Sequence, residues 1–116
     1  MPIKTILGLF GGVKPLTVRQ GLAVLERDKY RCQYCGLDGL ASFENYLVMT
    51  VDFVVPRARG GKKTARNLVA ACRPCNVIKG QRVFKTFEDA RSYVLQRREE
   101  IRKVWEERTA KLKATA

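Results

Sequence analysis

Two cysteine pairs restrict this chain more than any other feature: Cys32-Gln33-Tyr34-Cys35 and Cys72-Arg73-Pro74-Cys75, separated by residues 36–71. Two residues between cysteines let both thiolates of one tight turn reach a single ion at roughly 2.3 Å, and two such knuckles complete a tetrahedron. A closed four-thiolate shell leaves no position for water or substrate. Cys32, Cys35, Cys72 and Cys75 are therefore expected to hold a structural Zn2+. A dithiol redox pair would need an α/β setting of its own and would not account for the second knuckle. In a chain of 116 residues, such a staple also supplements a core that is small on its own. The neighbouring Arg31 and Arg73 are expected to offset the negative charge of the cluster.

Charge narrows the partner. The net charge is +12 and the chain contains no histidine. Between Phe53 and Phe84 stand Arg57, Arg59, Lys62, Lys63, Arg66, Arg73, Lys79 and Arg82, with no acid among them. A merely solvated face mixes its signs, so this stretch points to phosphate. The expected nucleic-acid contacts are Arg57, Arg59, Lys62, Lys63, Arg66, Lys79 and Arg82, with DNA the first candidate and RNA the second. The apolar run Ile6–Val13 is interrupted by glycines and too short to span a bilayer, so no membrane partner is expected. Cysteines committed to metal rather than to disulfides suit a cytoplasmic protein.

Along the chain, residues 1–16 read as a flexible arm punctuated by Gly8, Gly11, Gly12 and Pro15. Residues 17–85 form the main domain, and residues 86–116 a helix packing on it. Thr17 and Gln20 have capping-box spacing, and Val18, Leu22 and Leu25 then recur on one helical face to about Lys29. Residues 37–45 read as loop, with a helical turn as the alternative. Leu47–Val55 reads as a strand, ended by Pro56, which cannot donate to a ladder. Arg57–Arg66 is a basic loop, Leu68–Ala71 the returning strand, and Asn76–Gln81 a short helix stopping at Gly80. Thr86 caps a final helix with Glu88 and Asp89 in its first turn. Its apolar stripe, Phe87, Ala90, Val94, Ile101, Val104, Trp105 and Leu112, is expected to cover the core.

Asp52, at the end of the predicted strand, and Asn76, after the second knuckle, offer hard oxygen donors of the kind Mg2+ or Mn2+ prefers. Taken alone, an Asp–Asn pair is weak evidence. The wider pattern is specific: Tyr30-Arg31-Cys32-Gln33-Tyr34-Cys35-Gly36, then Val51-Asp52-Phe53-Val54-Val55-Pro56-Arg57-Ala58-Arg59-Gly60-Gly61, then Asn67 through Gly80 resembles the HNH endonuclease family. The likeness is to the bacterial branch with a four-cysteine zinc site, and it covers roughly residues 17–83.

That resemblance implies an α+β protein with a ββα-metal core: two strands, a loop and a helix around a catalytic divalent ion. It implies that Asp52 and Asn76 bind the ion, that Asn67 steadies the catalytic residue through backbone hydrogen bonds, and that Lys79 contacts phosphate. It also implies histidine as general base directly after Asp52, where this chain has Phe53. Phenylalanine neither accepts a proton nor ligates a metal. The expected function is thus metal-dependent DNA phosphodiester hydrolysis, crippled as written. The alternative is a non-catalytic zinc module that binds DNA or RNA.

Overall fold

The computed structural model describes residues 15–115, so the expected N-terminal arm lies outside the described residues except for Pro15 and Leu16. Helix α1 spans Val18–Arg27. Its capping box closes both ways: Gln20 N–H donates to Thr17 Oγ1 at 3.1 Å and Thr17 N–H to Gln20 Oε1 at 2.9 Å. The C-terminal end of α1 is tied to the sheet. Asp28 Oδ2 accepts from Ala70 N–H at 2.8 Å, while Arg27 grips the same carboxylate and donates to the Ala65 carbonyl at 3.0 Å.

The segment after the first knuckle departs from expectation. Phe43–Leu47 forms a short helix, α2, because Ser42 caps it by accepting from Asn45 N–H at 3.1 Å. Strand β1 is therefore shorter than its β-branched composition suggested, running Met49–Phe53. It ends before Pro56 for a specific reason. Beyond the Phe53–Leu68 pair, the N–H of Val55 goes to the side chain of Asn67 at 2.7 Å instead of to a ladder carbonyl.

Strand β2, Leu68–Cys72, pairs antiparallel with β1, from Met49 opposite Cys72 to Phe53 opposite Leu68. Alternation along β1 turns Asp52 inward and leaves Val51 and Phe53 half-buried. Helix α3 begins within the second knuckle, spanning Arg73–Lys79 rather than Asn76–Gln81. Pro74 falls in its first turn, where a missing N–H costs nothing and a fixed φ suits the helix.

Helix α4, Phe87–Thr115, starts as expected, with Asp89 N–H donating to Thr86 Oγ1 at 3.1 Å. Only its root docks. Ala90 and Val94 are fully buried, whereas Ile101, Val104, Trp105 and Leu112 are exposed. The apolar stripe thus outruns the body it was expected to cover, because a helix of this length reaches about 43 Å and the core lies only against its first turns. That core comprises Cys32, Tyr34, Ala71, Cys72, Cys75, Ala90 and Val94, between the hairpin, α3 and the base of α4. No helix among the described residues is long and apolar enough to cross a membrane.

Two glycines give a direct check on this packing. A Cβ on Gly61 would lie 1.7 Å from the Val55 carbonyl oxygen, whereas one on Gly21, in α1, meets nothing within 4 Å. Gly61→Ala should cost at least about 1–3 kcal/mol through overpacking against rigid backbone. Gly21→Ala should instead add about 0.5–1 kcal/mol of helix propensity. Denaturant unfolding of the two variants would show the opposite signs.

Candidate metal centre and nucleic-acid site

The four cysteine sulfurs come together from opposite ends of the hairpin unit, all within 4.8 Å of one another. Cys35 Sγ and Cys72 Sγ lie 3.7 Å apart. A tetrahedron with metal–sulfur bonds of about 2.3 Å has edges of about 3.8 Å, so the spacing fits one central ion and is far too wide for a disulfide. The thiols are electrostatically incomplete by themselves. Hydrogen bonding from Cys35 holds the Cys32 thiol far below its ordinary range, while sharing protons with Cys32 pushes Cys75 far up. Four cysteine sulfurs at this distance could hold one metal ion between them.

A protein cation stands against the outside of the cluster, and it is not one of the expected pair. Arg31 turns away, donating to the Gly36 carbonyl at 2.9 Å and facing Asp38, and Arg73 is exposed. Arg98 of α4 fills that role, with Nη1 3.6 Å from Cys75 Sγ. Burial would lower its pKa, yet the charge on Cys75 and its neighbours raises it on balance. Nothing in the local sequence marks Arg98; only docking of the helix root brings it there.

Beside the cluster lies a buried polar trio. Asp52 is 3% exposed and Lys79 is 0% exposed. The Tyr34 hydroxyl donates to Asp52 Oδ2, and Lys79 Nζ lies 3.4 Å from Asp52 Oδ1. Burial raises the Asp52 pKa, while the Tyr34 hydrogen bond and the Lys79 charge pull it back. The ammonium also donates to the carbonyls of Phe53 and Val54, each at 3.1 Å. Its three donors are thereby all used within the protein. The phosphate contact expected of Lys79 is corrected accordingly: it lies under the surface, fixing the backbone at the end of β1.

Phe53 emerges from that fixed backbone into a pocket of about 360 Å³ whose wall also includes Asp52, Arg57, Ala58, Asn76, Gly80 and Gln81. The Arg57 guanidinium lies 5.9 Å from the centre of the Phe53 ring. Asn67 does steady this region, as expected, but farther along the chain. It exchanges two hydrogen bonds with the backbone of Val55 and donates to the Lys62 carbonyl at 3.0 Å, closing the basic loop on itself. Elsewhere in the basic stretch, Arg59, Lys62, Arg66 and Arg82 are exposed and Lys63 is half-buried. Arg82 rests on the Tyr93 ring at 4.8 Å.

With phenylalanine at position 53, the donors present fall short of the set expected for a catalytic ion. Mg2+ or Mn2+ calls for several oxygens in near-octahedral array. The pocket offers the half-buried Asn76, while both oxygens of the Asp52 carboxylate are engaged by Tyr34 and Lys79. Position 53 adds a ring with no donor atom.

Asp52→Ala should therefore act first on stability, costing about 3–5 kcal/mol by leaving the Lys79 charge buried without its partner. Combining Asp52→Leu with Lys79→Met should restore part of that loss, since no unpaired charge remains. Chemical denaturation of the metal-loaded chain would separate the two.

The HNH endonuclease family model matches residues 32–82, the span from the first ligand cysteine through β1, the basic loop, β2 and α3. No curated protein and no solved structure matches the chain. The matched residues build a two-stranded antiparallel hairpin followed by a helix, beside a four-cysteine cluster able to hold a metal. Family match and geometry agree: the segment from Cys32 to Arg82 is similar to HNH endonuclease domains, with phenylalanine at position 53.

Proposed function

We propose that this chain is a zinc-stapled endonuclease scaffold that engages DNA, or RNA, through its basic loop, and that its hydrolytic step is crippled as written. The carrying observation is the pocket around Phe53. Asn76 and Arg57 border it, Asn67 closes the loop beside it, and Lys79 sets the backbone from which residue 53 projects. The position that needs a base holds a hydrocarbon ring. Loss of a positioned general base lowers rate by about 10²–10⁴, and the same substitution removes a potential metal donor.

Zn2+ suits the cluster because four soft thiolates in a closed tetrahedron favour it, and no open position remains for chemistry. Zn2+ therefore contributes stability here and takes no part in hydrolysis. Arg57, Arg59, Lys62, Lys63, Arg66 and Arg82 supply the phosphate-facing charge, without Lys79.

Three outcomes test this reading. Phe53→His should nick supercoiled plasmid in Mg2+ or Mn2+ about 10²–10⁴ times faster than the parent chain; an inert histidine variant would remove the endonuclease part of the proposal. Binding of the parent chain to duplex DNA should weaken steeply with salt, log K falling linearly with log salt as counterions are released. A flat response would remove the nucleic-acid part. Chelation at neutral pH should unfold the domain and release Zn2+ to a colorimetric dye, and Cys75→Ser should mimic it.

A further inference from the structure

The pocket that lacks a base has the features of a different kind of site. We infer that it captures a single unpaired nucleotide, with the base stacked on Phe53, its edge met by the amides of Asn76 and Gln81, and its phosphate held by Arg57. This inference rests on the nucleic-acid reading above and specifies the ligand of the same pocket.

Four observations carry it. The Phe53 ring is half-buried and lines both the pocket and the adjoining groove along α1, so it forms a wall instead of filling the space. Arg57 lies beside the same ring, which places a guanidinium next to a π-face; that pairing suits a base and its phosphate together. Asn76 and Gln81 are both wall residues, and their amides present donors and acceptors that can read a base edge. The volume, about 360 Å³, falls within the range of small-ligand sites, roughly 300–1,000 Å³.

In the chain as written, the pocket is poorly furnished for the competing occupant. A divalent cation would need open carboxylates, and the one carboxylate at the wall is turned to Tyr34 and Lys79. With Asp52 neutralised by a buried lysine, an anionic nucleotide meets no exposed negative charge in the pocket wall. A base inside a duplex has no free face to stack, so the site selects single strands, frayed ends or flipped nucleotides.

The test uses the full chain loaded with Zn2+ and two probes: a short oligothymidylate carrying one 2-aminopurine, and the same sequence as a perfect duplex. Stacking on Phe53 should quench 2-aminopurine fluorescence in the single strand and not in the duplex. Phe53→Leu keeps apolar volume but removes the π-face; it should weaken single-strand binding about 5- to 100-fold and leave duplex binding unchanged. Asn76→Ala should weaken the single strand alone, in the same sense. Equal losses on both probes in Phe53→Leu, or no loss on either, would overturn the inference and leave the nucleic-acid reading standing. If neither probe binds the parent chain in a salt-dependent manner, the nucleic-acid reading itself fails. Thermal unfolding of Phe53→Leu matching the parent establishes that the variant is folded.

Discussion

A buried ion pair in a domain this small organises most of what surrounds it. Removing Lys79 and Asp52 from water is costly, and the cost is offset only because every donor and acceptor is matched: Tyr34 on one carboxylate oxygen, Lys79 on the other, two strand-end carbonyls on the ammonium. The trio joins three separate pieces of chain, namely the first knuckle, the end of β1 and the end of α3. It thereby orients the residue at position 53 and holds the hairpin against the helix. The ring of Tyr34 also packs on Phe87 at 5.1 Å, which extends the same connection to α4.

The cysteine cluster and this trio share their scaffold but differ in their chemistry. The cluster is arranged to take a metal ion from outside; the trio supplies its cation from within. Both lie on the core side of the hairpin, where Cys32, Tyr34, Cys72 and Cys75 are almost wholly enclosed. Joining the two strands is the basic loop, kept in shape by Asn67 and by the close passage of Gly61 past Val55. One lysine of the basic stretch is thus sealed inward while most of its other cations are displayed outward, and Lys79 shows that membership of that stretch does not decide which a given residue will be.

Much of this was legible in the sequence because it depends on local spacing. The knuckles, the capping box at Thr17, the cap at Thr86, the hairpin and the helix after the second cysteine pair follow from residues a few positions apart. The errors arose where long-range contacts override composition. One exception is local: Leu47, a good helix former, ends a short helix capped by Ser42 instead of opening the strand. Lys79 looks like a surface cation until Asp52 and two carbonyls, contributed by a distant strand, take up its donors. Arg98 next to Cys75, and the exposure of Ile101 and Trp105, depend on where a small core ends, which periodicity alone does not encode.

The placement of Arg98 has a consequence for order of synthesis. The ligand set is complete once residue 75 has been made, whereas Phe87 and Arg98 are added later. A chain emerging from its N-terminus can close the knuckles around a metal before α4 exists. The last helix then docks onto a cluster already formed, with its arginine arriving as the final counter-charge. In this protein the direction of translation and the hierarchy of stabilisation run the same way.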